Sequence, residues 1–318
     1  SRAKANNNIM PSNIGLDGKI GSATGGKWYG GAYGWGFSVV VPQTGRIDHR
    51  PRTQSGWAGM RTAFLLTGDE RYLDVWRKQI DTINSNRRMN GGRWEYPRMY
   101  GDNGWYAFTS APYAENALEM YALSMREDDA KRVGDDAWLD YLSGKSPDYP
   151  ERALQQDLAR IRSRVASLRK DTTTPDTRLA DDPMKYNPAS IHSLLSLSMG
   201  GVHPGVGGNS LVARLRYFDA DQRRPGLPAD VAALVERITA DEAVVTLVNV
   251  NQLDPRTVIV QGGAYGEHDI VAASSGGSQT TVGGHDLCVY LAPGAGSKLT
   301  LKFKRHANQP TLALPWAN

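Results

Sequence analysis

The chain predicts a mixed α+β protein of two parts: paired helices over residues 1–205, then an antiparallel β-sandwich over 206–318. Three observations carry this. Apolar residues recur at helical spacing between Trp57 and Met199 and shift towards a period of two beyond that point. The change coincides with GGVHPGVGGN at 200–209, a glycine-rich run that reads as a hinge. The composition, 40% hydrophobic and 22% charged, is that of a globular chain with a core, and 318 residues favour two domains over one.

Residues 5–26 have loop chemistry, with Asn runs, a Pro and many Gly, and show no helical period. Residues 37–41 are a short apolar β-type run leading into a turn at 42–45. After Pro51 the period turns helical: Trp57, Met60 and Phe64 share one face, and Thr67-Gly68 closes the segment. Asp69 is placed to cap the next helix, where Tyr72, Trp76, Ile80 and Ile83 repeat. The two form a helical hairpin. Residues 84–106 again mix Gly, aromatics and charge, and again a helix follows: Pro112 suits its first turn, and Ala114, Ala117, Leu118, Tyr121 and Met125 supply its buried face. A partner helix is expected over 128–142.

Over 150–170, Leu154, Leu158, Ile161, Val165 and Leu168 form an apolar stripe, with Asp157, Arg160, Arg162 and Arg164 off it. A polar linker at 171–182 precedes a helix over 188–199 that buries Ile191, Leu194 and Leu195. Strands are then expected over 212–218, 243–250, 258–261, 269–272, 280–282, 287–291 and 299–304, with one helix interposed at 229–238. Glycine-rich turns between many short strands favour an antiparallel sandwich.

Composition also excludes several function classes. Cys288 is the only cysteine, so an intrachain disulfide and a multi-thiolate metal site are both ruled out. The five histidines beyond His49, namely His192, His203, His268, His285 and His306, lack zinc-type spacing, and no metal or other cofactor is expected. The net charge of +4 with a pI near 9.0 is compatible with an acidic substrate but too weak and dispersed for nucleic acid. No apolar run reaches the length of a membrane span. Residues 1–8 are polar, so an export signal is either absent or already removed. GGAYGWG lacks the strand–turn–helix setting of a dinucleotide fingerprint, and GVGGNS lacks a phosphate-loop lysine. His268, in GAYGEHD, reads as a turn stabiliser.

The chemistry concentrates in two matched stretches, each placed before a helix. In 28–52, Trp28, Tyr29, Tyr33 and Trp35 are interleaved with glycines, and Asp48, His49, Arg50 and Arg52 follow. In 93–109, Tyr100, Asp102, Asn103, Trp105 and Tyr106 repeat the style. Flat aromatic faces suit sugar rings, so Trp28, Tyr29, Trp35, Tyr100 and Trp105, with Arg52, are the candidate substrate-binding residues. His49, which titrates near neutrality, is the first candidate for proton transfer, with Tyr33 and Tyr106 as further donors. Arg50 and Asn103 are candidates for neutralising charge, and Asp48 and Asp102 are candidate carboxylates. Asp17, Glu115 and Glu119 are further acids, the last two four residues apart on one helix.

Helical hairpins, Gly/aromatic loops before alternate helices and a following β-domain resemble the (α/α)-toroid carbohydrate-active enzymes, above all polysaccharide lyases of the chondroitin AC lyase and heparinase type. The resemblance is one of architecture rather than motif. It implies an (α/α)-toroid-like helical domain, secretion or a periplasmic location, and an acidic polysaccharide or oligosaccharide as partner rather than nucleic acid or a membrane. It also implies β-elimination, with Tyr and His moving protons while Asn and Arg neutralise a uronate. About six helices are read here, fewer than a complete toroid uses, so a preceding portion, a second chain that completes the array, or a half-open helical array is expected. Two alternatives stand beside the lyase. One is a glycoside hydrolase using two carboxylates from Asp17, Asp48, Asp102 and Glu115; the other is a non-catalytic glycan-binding or scaffold protein.

Overall fold

The computed structural model describes residues 34–40, 47–53, 56–97, 99–101, 104–110, 113–173, 187–204 and 209–316. It is a mixed α+β chain, with seven helices and antiparallel sheets among the described residues. Contacts gather the chain into two compact units. One runs from Ser1 to Gly134 and includes Val206–Ser210; the other comprises Asp135–Gly205 and Leu211–Asn318. Composition placed the boundary near residue 205, whereas contacts group the helices after Gly134 with the large sheets.

The first unit opens on a two-stranded ribbon, β1 (Gly34–Val40) paired with β2 (Ile47–Thr53). The expected strand at 37–41 is therefore half of a hairpin that also takes in Asp48–Arg52. Helices α1 (Gly56–Thr67) and α2 (Arg71–Ser85) follow as an antiparallel pair. Leu73, Trp76, Ile80 and Ile83 of α2 are all buried, each worth about 1.5–3 kcal/mol of apolar transfer. Tyr72, expected on that face, is exposed; Leu73, one residue on, takes its place.

Two short hairpins come next: β3 (Arg88–Asn90) with β4 (Arg93–Glu95), and β5 (Met99–Gly101) with β6 (Gly104–Tyr106). The β3–β4 turn needs two residues at positive φ, and Gly91 (56°) and Gly92 (77°) supply them. Helices α3 (Ala114–Ser124) and α4 (Glu127–Val133) complete the unit. α3 buries Ala117, as expected, together with Met120, Leu123 and Ser124; Ala114, Leu118, Tyr121 and Met125, expected on the same face, are half-buried. A charged clamp ties α2 to α4. Arg77 donates from Nε to Asp129 Oδ1 at 2.9 Å and from Nη2 to Oδ2 at 2.8 Å, while Ser124 Oγ donates to Oδ2 at 2.6 Å. Asp129 is fully buried, and burial alone would raise its pKa; the Arg77 and Ser124 hydrogen bonds outweigh this and hold it below the ordinary carboxylate value.

The second unit begins with α5 (Ala137–Leu142), capped by Asp136, whose carboxylate accepts the Trp138 and Leu139 N–H groups, both at 3.0 Å. The single helix expected over 128–142 is thus two helices, α4 and α5, with this cap between them. α6 (Tyr149–Lys170) matches the expected helix, but Ala153 and Asp157 are its buried positions, and Leu154 and Leu158 of the apolar stripe are exposed. Asp157 accepts from Ser190 Oγ at 2.9 Å and from the Ser193 N–H at 3.1 Å, so it caps the start of α7 (His192–Met199) and fixes that helix against α6. α7 buries Leu195 and Leu197; Ile191 and Leu194, expected inside, are each 52% exposed. 

Two antiparallel sheets follow. One has the order β13 (Ser278–Gly284), β12 (Asp269–Ser275), β15 (Gly296–Lys304), β10 (Glu242–Asn249), β9 (Val231–Ile238). The other has the order β14 (Asp286–Leu291), β11 (Arg256–Gly262), β7 (Leu215–Asp219), β8 (Arg224–Pro225). Residues of both contribute to one buried cluster that includes Leu215, Tyr217, Val245, Leu247, Val258, Val260 and Leu301. α7 packs on β9 and β7, and α5 on β9.

The helix expected at 229–238 is instead strand β9, paired along β10 with a bulge at Val244/Val245. Val231 and Val235 are buried, and Ala233 packs against the same core. Burial at i and i+4 fits either period, and the small Ala233 hid the alternation that distinguishes them. No described helix is long and apolar enough to cross a membrane.

Candidate active site

Each Gly/aromatic stretch becomes a hairpin that leads into a helix: β1–β2 into α1, and β5–β6 into α3. The β1–β2 register sets Trp35 opposite Arg52, Phe37 opposite Arg50, Ser38 opposite His49 and Val39 opposite Asp48. In β5–β6, Tyr100 pairs with Trp105 and Met99 with Tyr106. Trp105 is half-buried and Tyr106 is 41% exposed. Asp17, Trp28, Tyr29, Tyr33, Asp102 and Asn103 lie outside the described residues.

The helices behind the two hairpins are joined by a buried charge pair. Arg61 of α1, 1% exposed, brings Nη1 to 3.1 Å from Glu119 Oε1 of α3. Among the described residues neither Nε nor Nη1 of Arg61 completes a well-aligned hydrogen bond, so the attraction lacks the geometry that strengthens a fork-to-carboxylate pair. Burial pushes the Glu119 carboxyl up to about 7, against the pull of Arg61 and with a small further push from Glu115 one turn away. Glu119 thus changes charge near neutrality inside the unit, while Glu115 is exposed. From the next position of α1, Thr62 Oγ1 lies 2.8 Å from Ser210 Oγ, tying in the segment that returns to this unit.

Sequence reasoning named Glu119 only as one of two acids and missed Arg61. A signal was present: Arg61 is spaced i−3 and i−4 from Phe64 and Leu65, so a cation sits on the apolar face of α1. The histidines read as scattered include one close pair, His192 and His203, whose ring centroids are 3.8 Å apart. His268 is buried, and its Nδ1 accepts the His306 N–H at 3.2 Å; burial, then the Arg214 and His306 charges, hold its pKa well below the ordinary value. Its side chain thus ties the 262–268 turn to the chain at His306, while Glu267 accepts the Tyr265 N–H within the turn. Among the described residues, no group of three His, Cys, Asp or Glu is placed to hold a metal ion.

A family described as Domain of unknown function (DUF8034) matches residues 1–135 and 133–195. The chain belongs to this family. The DUF8034 match takes in both hairpin–helix units, the Arg61–Glu119 pair and every candidate residue named from the sequence. The two large sheets lie beyond it. No curated protein and no solved structure matches the chain.

Proposed function

We propose that the protein degrades a glycan, and that it cleaves an acidic polysaccharide by β-elimination. The observation that carries this reading is the repeated hairpin–helix unit. Two aromatic-bearing ribbons each lead into a helix, and those helices share the Arg61–Glu119 pair. Packing alone does not require the repeat, whereas a sugar chain needs stacking faces and charge at the same place. The α1–α2 and α3–α4 pairs support an (α/α)-toroid-like helical domain, and the core common to the two large sheets supports a β-sandwich.

In this reaction Arg50 or Asn103 neutralises a uronate carboxylate, which acidifies the neighbouring C5–H. His49, or Tyr33 or Tyr106, removes that proton. The electron pair forms the C4–C5 double bond as the C4–O bond breaks, and the departing oxygen is protonated by the second of these groups. Trp28, Tyr29, Trp35, Tyr100, Trp105 and Arg52 hold the chain, which is an acidic polysaccharide or oligosaccharide.

One observation favours a second reading. A carboxyl that keeps its proton up to about pH 7, as Glu119 does, is suited to general-acid protonation of a glycosidic oxygen, with an exposed acid such as Glu115 as its partner. Product analysis on a glycan panel separates the readings. Unsaturated uronate ends mean a lyase, saturated new reducing ends mean a hydrolase, and retention without products means a binding protein.

A further inference from the structure

We propose that the β3–β4 hairpin is a second sugar-binding element, a platform for a pyranose bearing a carboxylate or sulfate, built on Trp94 and Arg87. It rests on the glycan reading above but uses none of the residues assigned there. Two adjacent arginines, Arg87 and Arg88, have different surroundings. Arg88 is absorbed by the fold: it pairs with Glu95 at 2.9 Å across the ribbon and lies over the Phe108 ring at 3.9 Å, pinning the hairpin to the segment after β6. Asn90 Nδ2 adds a bond to Glu95 Oε1 at 3.0 Å, and Tyr96 and Thr109 close a backbone bridge beneath.

Arg87 has no acidic partner among the described residues. Its guanidinium lies over the Trp94 ring at 4.2 Å from the centroid. Trp94 pairs with Met89 on the same face, and both are open to solvent, at 43% and 53%. The result is an apolar face of Trp and Met beside a cation, on a short ribbon locked by the Gly91-Gly92 turn and by Arg88. A guanidinium stacked on an indole keeps its N–H edge free for a planar or tetrahedral anion, and the remaining aromatic and thioether surface meets the C–H face of a sugar. A neutral glycan would leave the cation unused, which is why the anionic ring is the better fit.

The test uses the whole chain and oligosaccharides of equal length: a polygalacturonate (carboxylate only), a sulfated glucan and a neutral glucan, with binding followed by calorimetry. Both side chains are exposed, so Trp94→Ala and Arg87→Gln should retain the wild-type circular dichroism. The wild type is expected to bind one or both anionic ligands and not the neutral one. Trp94→Ala should weaken that binding roughly tenfold, with Trp94→Phe staying within about threefold of wild type. Arg87→Gln should weaken it severalfold and flatten its dependence on salt. Which anionic ligand responds identifies carboxylate or sulfate.

Anionic binding that is unchanged in Trp94→Ala overturns the platform and leaves the glycan reading standing. Trp94-dependent binding without any products overturns degradation and leaves the platform standing. Wild-type chain that binds neither anionic ligand, or binds only the neutral one, overturns the platform; catalytic turnover of a glycan in the same preparation would then still uphold the reading above.

Discussion

Replacing Glu119 by Gln should remove a pH dependence of stability that the wild type carries. In the folded chain burial holds the Glu119 proton up to about pH 7, whereas the unfolded chain releases it near 4.5. Between those values the folded state binds the extra proton, so the Glu119 contribution is greatest at low pH and declines as pH rises towards 7. Each tenfold difference in proton affinity is worth about 1.4 kcal/mol, which puts the whole decline at roughly 3 kcal/mol as an upper limit. With only 12% of the side chain exposed, solvent screens little of it. Gln has nearly the same shape and no titration. Urea unfolding of both proteins at a series of pH values from about 4.5 to 8 gives the difference in stability directly. That difference should fall against the wild type by up to about 3 kcal/mol across the range. A difference that stays constant would refute the burial argument. One that moves the other way would show that Arg61 outweighs desolvation at Glu119.

Asp129→Ala should cost about 3–5 kcal/mol, because it leaves the Arg77 guanidinium buried without its main counter-charge; denaturant unfolding measures it, and a loss below about 1 kcal/mol contradicts the clamp. Gly263→Ala should destabilise the second unit by about 2 kcal/mol or more, since Gly263 has φ +88° and a Cβ there would fall within 2.2 Å of Glu267 Oε2. Glu267 accepts the Tyr265 N–H at 2.7 Å, so amide exchange at Tyr265 should quicken in the same variant. His49→Ala should abolish lyase turnover while oligosaccharide binding persists, as expected for a proton-transfer group.

The helices around Trp76, Phe64 and Ile83 were legible because large apolar residues repeat at helical spacing and the fold buries them where that spacing says. Seven of the strands beyond residue 210 were legible from alternation and from the glycine-rich turns between them. The remainder depended on partners distant in sequence. Whether 231–238 is helix or strand is decided by the β10 edge it pairs with, and Ala233 carries too little side chain to show the alternation. The stripe of α6 looked like a core face, yet the position its neighbours need is Asp157, which caps α7 through Ser193. At the candidate site, composition singled out the two Gly/aromatic stretches but read only 37–41 within them as strand. The pairing of Trp35 with Arg52 and of Tyr100 with Trp105 appears only when each stretch folds back on itself. Arg61 went unread because a cation on an apolar stripe has meaning only once Glu119 of another helix stands against it.

The central claim is elimination on an acidic glycan, and the most direct measurement follows unsaturated uronate absorbance over time with wild type and His49→Ala on a panel of uronate-containing polysaccharides. A steady rise is expected with wild type on at least one of them, and none with the variant. Saturated reducing ends from the wild type, or an equal rise from His49→Ala, would contradict it.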